Sequence, residues 1–376
     1  MIATISKQVF LPVASIDLIK RQKREIIARY ANGSDLRGFL QVVTTLVPFA
    51  FAWWLAVQAA AISGWLVCAA VVPVALLTLR AFVLMHDCGH RSLFVSPRLN
   101  QAFGFLFGVI TGMPQYVWAQ HHNFHHTHNG NWERYRGPYG TLSIDEYDRL
   151  GAGAQRFYRA KCAMATAPLA GFIYLVFNPR FTWLRGTLGL LGHMVSGKFS
   201  APSRPLRALA ADYRTRYWKS PTEYWHMCAN NLTLFGVWAV MCWACGPLLF
   251  FAIWIASVSI AGGGGIVLFT VQHNFEHSYA STSEGWDYDV GAIDGTSYLV
   301  LPGWMNWFTG DIGYHHVHHL SASIPNYRLA ACHAEYKHLF GTVRRITLAE
   351  LPAALHCIFW DVAARRIISM AEYARR

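Results

Sequence analysis

Charged residues are scarce in this chain of 376 residues. They make up 14% of the sequence and hydrophobic residues 54%, whereas about a quarter of a typical globular protein is charged. Two runs, residues 38–79 and 224–275, contain no Asp, Glu, Lys or Arg. This composition excludes a disordered chain and a collagen-like fibre. It also indicates that lipid is the solvent for much of the protein.

Patterns of disulfide frameworks, phosphate loops and signal peptides are missing as well. The chain has eight cysteines, and Cys242-x-x-Cys245 has no partner pair elsewhere. Because Cys68, Cys228, Cys242 and Cys245 lie in or beside apolar runs, we expect them to be small buried hydrophobes. The glycine run at residues 262–265 is not followed by Lys-Ser/Thr, which excludes a phosphate loop and favours close helix packing. No apolar segment with a cleavage site opens the chain, so we expect no secretory signal.

Each uncharged run is long enough for two membrane-spanning helices of about 20 residues. Turn residues at 63–64 and 245–247 divide the runs, which predicts helices over residues 39–62, 65–85, 228–244 and 247–271. Two more apolar stretches, 163–177 and 183–195, are short for a span and are separated by Asn-Pro-Arg. We expect them to lie in the membrane interface, with a third hairpin as the alternative. The predicted fold is an all-α integral membrane protein with four transmembrane helices in two hairpins.

The positive residues indicate which way the chain faces. Lys and Arg number 32 against 20 Asp and Glu, they flank the spans, and both hairpin tips are uncharged, so the termini and the central loop are expected in the cytoplasm. We expect a multi-pass protein of the bacterial inner membrane that forms one domain, 1–376. Its segments are an N-terminal cytoplasmic part (1–38), a first hairpin (39–85), a cytoplasmic and interfacial part (86–223), a second hairpin (224–272) and a cytoplasmic part (273–376).

Histidine, in contrast, is abundant: the chain has 18, and thirteen fall into four short patches. His86 and His90 have i, i+4 spacing, which puts both on one face of a helix. Two triads repeat the pattern H-x-x-H-H: His122, His125 and His126, and His315, His318 and His319. Eight imidazoles are too many for one metal ion and about right for two. A register shifted by one residue stays an alternative, because further histidines stand beside the triads: His121, His128 and His316.

The type of ligand narrows the choice of metal. Neutral imidazole suits zinc, copper, iron or nickel, and no carboxylate cluster stands beside the patches to favour magnesium or calcium. Zinc normally takes four ligands. A pair of irons that activates O2 explains both the number of histidines and their place at the ends of the spans. The substrate would be a lipid chain, whose C–H bonds need an oxidant that no side chain supplies.

The histidine boxes resemble those of the membrane-bound fatty acid desaturases. The motif H-D-C-G-H at residues 86–90 and the two H-x-x-H-H triads occur in the family's order, divided by two hairpins, and the resemblance extends from about residue 82 to 327. Trp118 ahead of box two, Gln272-His273 and Ile324-Pro325-x-Tyr327 are similar to the acyl-lipid branch with the Δ12 and ω3 enzymes. The resemblance implies a diiron enzyme that takes two electrons from ferredoxin or cytochrome b5, reduces O2 to water and forms a cis double bond in a membrane acyl chain.

The resemblance also implies nine metal ligands: His86, His90, His122, His125, His126, His273, His315, His318 and His319. The ninth ligand, beyond the eight histidines of the boxes, is His273. The alternative for this ninth position is His277, four residues later.

Other residues are assigned from their positions. Asp87, inside the first box, is expected to orient a ligand histidine, and weaker candidates for that role are Asn123, Asn129, Trp132 and Glu276. We expect three tryptophans to anchor the chain at the membrane interface: Trp118, Trp304 and Trp307. A capping box at residues 347–350 predicts a C-terminal helix that continues through about residue 367.

Motifs and basic residues in the sequence also indicate the partners of the protein. No His-Pro-Gly-Gly stretch marks a fused cytochrome b5 domain, so we expect the electron donor to be a separate protein. We expect no nucleic-acid partner. Basic residues could attract an acidic ferredoxin: Arg134, Arg136, Arg180, Arg204, Arg207, Arg214 and Arg216. A hydroxylase or ketolase with the same iron pair is the alternative enzyme. A metal transporter or a haem protein is the non-enzymatic alternative.

Overall fold

The structure, a computed structural model, describes residues 13–137 and 140–376 and is mostly helical. The first twelve residues of the predicted N-terminal segment lie outside the described residues. Through the first half of the chain the helices are α1 (Val13–Tyr30), α2 (Asp35–Ala59), α3 (Gly64–Gly89), α4 (Pro97–Thr111), α5 (Gln115–His128), α6 (Ile144–Asp148), α7 (Ala152–Lys161), α8 (Ala167–Phe172) and α9 (Asn178–Ser200).

The second half continues with helices and adds most of the strands. The helices are α10 (Leu206–Asp212), α11 (Pro221–Cys245), α12 (Pro247–His273), α13 (Tyr288–Ile293), α14 (Gly303–Phe308), α15 (His315–Leu320), α16 (Asn326–Glu335), α17 (Leu351–Leu355) and α18 (Met370–Tyr373). The strands are β1 (Leu142–Ser143), β2 (Tyr298–Val300), β3 (Arg345–Thr347), β4 (Cys357–Asp361) and β5 (Arg366–Ser369).

The two predicted membrane hairpins are confirmed. Within the described ranges four helices are long and apolar enough to cross a membrane: α2, α3, α11 and α12. Ser63 caps α3, its side chain accepting a hydrogen bond from the Trp65 N–H, and Gly246, at φ 83°, separates α11 from α12. Both second helices run past their predicted ends, α3 to Gly89 and α12 to His273, so each carries histidine into the segment beyond the apolar span.

The sequence predicted two apolar helices that are separated at residues 178–180, and this separation is wrong. Helical structure runs from Met164 to Ser200, with a π-helical turn, Ile173–Phe177, leading directly into α9. Pro179 lies in the first turn of α9, where the absence of an N–H costs little. Within the stretch 163–177, helix α8 packs against the spanning helix α12. On α9, an exposed apolar stripe is compatible with the expected interfacial position: Leu184, Leu188, Leu191, Val195 and Phe199.

Close packing of α8 on α12 depends on glycine. A Cβ on Gly262 would lie 2.8 Å from the Gly171 backbone, and one on Gly263 would lie 2.8 Å from the Pro168 nitrogen. Both distances are below any that real Cβ atoms adopt, so these glycines let two helix backbones touch. The predicted packing role of the glycine run is confirmed at these two positions.

The predicted C-terminal helix is wrong beyond its first turns. The capping box forms, with the Thr347 and Glu350 side chains each accepting from the other's backbone N–H, but α17 ends at Leu355. Strands β4 and β5 follow as an antiparallel hairpin, and β1 adds to β4 in parallel. Because β4 is buried along its whole length, tertiary packing overrides the local helical pattern. A second small sheet pairs β2 with β3 in parallel.

The cysteines are free thiols, as expected for a chain without a disulfide framework. Of the four cysteines in or beside the apolar runs, Cys228 is buried as expected, whereas Cys242 and Cys245 are half-buried and Cys68 is exposed on α3. The other four cysteines are buried. In the spanning region a lipid-facing thiol is a small apolar group.

Candidate metal centre

Four helical segments bring the histidine boxes together. His86 lies in the last turn of α3, and His90 is the residue that caps this helix. The triad at residues 122–126 lies on α5, and the triad at 315–319 lies on α15. His273 is the last residue of α12. The ends of two spanning helices thus meet two shorter helices from outside the apolar runs.

The nine predicted ligands fall into two groups, within each of which the nearest side-chain nitrogens lie within 4.8 Å of one another. We call them group A and group B. Group A consists of His86, His90, His122, His126 and His318. Group B consists of His125, His273, His315 and His319. Each of the two triads therefore contributes to both groups.

The ring nitrogens in these groups converge at the spacing of metal ligands. In group A the Nε2 atom of His126 lies 3.0 Å from Nε2 of both His122 and His318. In group B the Nε2 atoms of His315 and His273 are 2.9 Å apart. Donors at right angles around an ion with metal–nitrogen bonds of about 2.1 Å lie about 3 Å apart, so both groups fit a metal.

One ring nitrogen of group A is left without a hydrogen bond in the described part of the chain. The Nε2 atom of His90 is buried and has no hydrogen-bond partner there. Burying an unpaired polar atom costs free energy. A bound cation would remove that cost, which is a second reason why these residues fit a metal.

Burial keeps the imidazoles neutral. Loss of solvent, followed by the nearby histidines, holds the pKa of His122 and of His318 well below the ordinary value of 6.5. The same cause lowers the pKa of other ligands in both groups: His90, His125, His126, His315 and His319. A neutral ring has a lone pair to give to a metal, so the electrostatics favour ligation.

Asp87 has the orienting position that the sequence predicted. Its Oδ1 lies 2.9 Å from Nδ1 of His86, and its Oδ2 accepts the Asn326 N–H at 2.9 Å. The carboxylate thus fixes the His86 ring and ties box one to the segment that follows box three. Similarly, Nδ1 of His273 lies 3.2 Å from the Gly295 carbonyl oxygen.

The four weaker candidates for orienting a ligand histidine differ in what their side chains contact. Asn129 donates to the same Gly295 carbonyl at 3.2 Å, so it supports the partner of His273, and Asn123 hydrogen-bonds the His90 side chain and opposes the fall of its pKa. Trp132 instead stacks on Trp360, with ring centroids 4.0 Å apart. Glu276 is exposed, so neither of these last two orients a ligand.

The other clustered histidines lie outside both groups. His277 is exposed in a left-handed conformation, φ 70°, and its Nδ1 lies 2.8 Å from the Arg366 guanidinium. His121 is exposed, His128 stacks on Phe124, and His316 pairs with His333. This arrangement favours His273 over His277 and the H-x-x-H-H register over the shifted one.

An apolar cavity of about 430 Å³ adjoins both groups. Its wall includes two members of each group, His86 and His122 from A and His125 and His315 from B. From there it extends between α3, α8 and α12. The apolar part of the wall is formed by residues such as Leu79, Phe82, Val83, Ala170, Leu175, Ala261, Ile266, Leu268 and Phe269. A chain of methylene groups suits such a lining.

Comparison with models of protein families shows which family has this arrangement of histidines. The family model described as "Fatty acid desaturase" matches residues 63–347, which include all nine histidines. The chain belongs to the fatty acid desaturase family. It is therefore an oxidoreductase, a fatty acyl desaturase of the membrane, and the transporter and haem-protein alternatives have no support.

Individual relatives agree with the family model. A fatty acid desaturase of Bacillus subtilis is 30% identical over 93% of this chain and 90% of its own length. An sn-1 oleoyl-lipid 12-desaturase of Picosynechococcus is 24% identical over 78% of this chain and 77% of its own length. A temperature-sensitive sn-2 acyl-lipid omega-3 desaturase (ferredoxin) of Arabidopsis thaliana is 27% identical over 74% of this chain and 58% of its own length.

Trp118 has a different place in this desaturase from the one expected. It is buried and stacks on His122, with ring centroids 4.5 Å apart and an interplanar angle of 15°, so it supports a ligand and does not anchor the chain at the interface. The i, i+4 spacing from His122 could have indicated this contact. Trp304 and Trp307 are exposed, at 61% and 39%, which suits an anchor.

Two aromatic residues of the site were missed. Phe269 lies one turn before His273 on α12 and packs on that ring and on His125, with centroids 5.0 and 4.9 Å away. Its i−4 position was a usable signal. Tyr135, with its centroid 4.7 Å from that of His125, lies in irregular chain where no periodicity could have indicated it.

Proposed function

We propose that this desaturase holds one iron ion in each histidine group and uses O2 to introduce a cis double bond into an acyl chain of a membrane lipid. The observation that carries the proposal is the contact between two groups of largely buried imidazoles and one apolar cavity. Bound iron would supply the oxidising power that amino-acid side chains lack. In the overall reaction the acyl chain loses two hydrogens, and O2 takes up two more electrons and two protons to become two waters.

The residues of the chain hold and orient the reacting groups. Group A would provide five ligands and group B four, so the nine predicted histidines are the proposed ligand set. Asp87 holds the His86 ring, and the Gly295 carbonyl holds the His273 ring. The apolar wall, with Phe82 and Phe269 near the histidines, excludes water and keeps the acyl chain extended beside the ligands.

We further propose that the site faces the cytoplasm of a bacterial inner membrane and that the chain works as one domain. Positive charge on the segments 1–38, 86–223 and 273–376 supports this orientation, with hairpins over 39–85 and 224–272 between them. The second helix of each hairpin carries a proposed ligand in its last turn, His86 in α3 and His273 in α12. This position of the two histidines supports a topology in which both hairpins return to the same side.

The electron donor is proposed to be a separate acidic protein such as ferredoxin, with cytochrome b5 as the alternative. The Arabidopsis relative carries ferredoxin in its name. Exposed basic residues suit the approach of such a donor: Arg134, Arg204, Arg207, Arg214 and Arg216. Arg136 is half-buried and forms an ion pair with Glu146. Arg180 is no part of that surface, because it bonds the Asn230 and Asn231 side-chain oxygens inside the fold.

Expression in a host with a simple lipid profile tests the proposal. Gas chromatography of fatty acid methyl esters should show a new alkene, and the purified protein should contain about two irons per chain. A hydroxy acid or ketone without any alkene would support the hydroxylase or ketolase instead. Zinc without iron, or haem, would contradict the metal assignment.

A further inference from the structure

The glycine run at residues 262–265 contains two kinds of position. Gly262 and Gly263 are required by the contact with α8, as described above. Gly264 and Gly265 are not: a Cβ on Gly264 would meet only Leu79 Cδ2, at 3.5 Å, and one on Gly265 only Leu79 Cδ1, at 4.0 Å. Both are ordinary contacts. Since glycine is a poor helix former, helix packing does not explain why residue 265 lacks a side chain.

Gly265 differs from Gly264 in that it lines the apolar cavity, whereas Gly264 does not. Seven residues separate Gly265 from Gln272 at the histidine end of α12, which places Gly265 about 10 Å from that end. Leu79 is seven residues before His86 on α3 and lines the cavity at the same level. Ala170 and Ala261 line it as well, and Ala261 lies a further turn along α12 from the histidines. Leu79 and the bare backbone of Gly265 thus adjoin each other in the cavity wall.

We propose that Gly265 is a specificity-determining residue, which leaves room for an acyl chain to extend past Leu79 into the part of the cavity beside Ala261. The length of chain that fits beyond the histidine groups decides which carbon–carbon bond lies next to them. A side chain at 265 would fill cavity space next to Leu79 and shorten the usable cavity. This inference rests on the proposed function, because it assigns the cavity to the acyl chain.

Matched substitutions at neighbouring positions test the proposal. Gly265→Ala and Gly265→Val add one and three carbons inside the cavity, and Gly264→Ala and Gly264→Val add the same groups beside it. Each methyl that obstructs an apolar pocket discriminates about tenfold or more between substrates. We expect the Gly265 variants to lose the longest products about tenfold or more while they keep shorter products, or to move the double bond. The Gly264 variants should keep the wild-type distribution.

Two further measurements separate a specificity effect from damage to the fold or from an error in the proposed function. Iron content should be the same in the Gly264 and Gly265 variants. Displacement of a fluorescent fatty acid by saturated fatty acids of graded length reports chain binding without turnover, and it should show the same loss for long chains in the Gly265 variants. This binding result tests the inference even if the wild-type chain forms no alkene, an outcome that would count against the proposed function.

A compensating change makes the test sharper. Leu79→Ala removes the side chain that adjoins residue 265 and opens space in the same part of the wall, so the double variant Leu79→Ala, Gly265→Val should regain the long chains that Gly265→Val loses. If Gly265→Val does not accumulate, Gly265→Ala provides the same comparison. A product and binding profile that is unchanged, or that falls equally for every chain length, would overturn the proposal. So would an identical shift in the Gly264 variants.

Discussion

Seven of the nine candidate ligand histidines are buried, and His90 and His122 are half-buried, although imidazole is a polar group. Taking such a ring out of water is unfavourable unless its nitrogens find partners, and here many of the partners are other ring nitrogens about 3 Å away. Two facing nitrogens cannot both be protonated. The buried groups are therefore costly as a hydrogen-bond network and favourable as a set of metal ligands.

His318 is a direct test of group A. Its Nε2 lies 3.0 Å from that of His126, so His318→Ala should remove a ligand and lower both iron content and alkene formation. We expect a loss larger than the roughly 10–100-fold that follows from removing an outer partner of a ligand. His128→Ala, which removes an imidazole outside both groups, is the matched control and should leave iron content and product near wild type. Full activity in His318→Ala would refute the ligand assignment.

Asp87 tests the orientation of a ligand without removing it. Asp87→Asn keeps an oxygen for the Asn326 N–H but removes the charge beside His86. We expect metal affinity or activity to fall about 10–100-fold, measured by chelator competition and product analysis. Asp289→Asn, which breaks the ion pair with Lys23, controls for the loss of one carboxylate. Equal effects in both variants would show that Asp87 has no special role.

At the scale of elements, the site depends on how helix ends meet. Helix α12 is in contact with helix α3 and also with helix α8. The glycine contact between α8 and α12 sets the distance between these backbones. Because the walls of the cavity belong to the same helices, an error in this packing would alter the substrate space and the position of His273 together.

Gly171 offers a test of this contact. A Cβ there would overlap the backbone of Gly262 and Gly263, and overpacking of a well-packed contact typically costs about 1–3 kcal/mol. Gly171→Ala should therefore lower the melting temperature in detergent. Gly236→Ala is the control, because that helical glycine has no atom within 4 Å of its added methyl group, and its stability should be unchanged or slightly higher. Equal melting temperatures for the two variants would contradict the packing role.

On the scale of the whole molecule, the two histidine groups make stability depend on pH. Histidines of an unfolded chain titrate near pH 6.5, whereas burial holds the folded pKa of His122, His318 and their neighbours well below that value. Below about pH 6.5 the unfolded chain binds more protons than the folded chain. The stabilising contribution of the neutral rings is therefore complete above that pH and is lost as the pH falls.

We accordingly expect the melting temperature of the metal-free protein, and the iron retained by the loaded protein, to decrease as the pH is lowered from about 8 to about 5. Melting curves and metal analysis across that range provide the measurement. His128→Ala should show the same dependence as wild type, since its ring lies outside both groups. Higher stability at the acid end would contradict the buried neutral state.

Local signals in the sequence were enough for the spans and the histidine boxes. Uncharged runs fix the membrane helices because no charged residue is easily placed in hydrocarbon, and the turns at Ser63 and Gly246 are encoded by their own residue types. The nine candidate ligands could be named because helical spacing puts histidines on one face.

Only the tertiary structure decided how these candidate ligands divide between two groups and what lies around them. Neighbours such as His125 and His126 enter different groups, because successive residues on a helix point about 100° apart and the facing helices determine which direction meets which ring. The choice of His273, the stacking of Trp118 and the strands β4 and β5 also depend on contacts between residues far apart in the chain. Residue type and spacing specify which groups are available, and long-range packing specifies which of them touch.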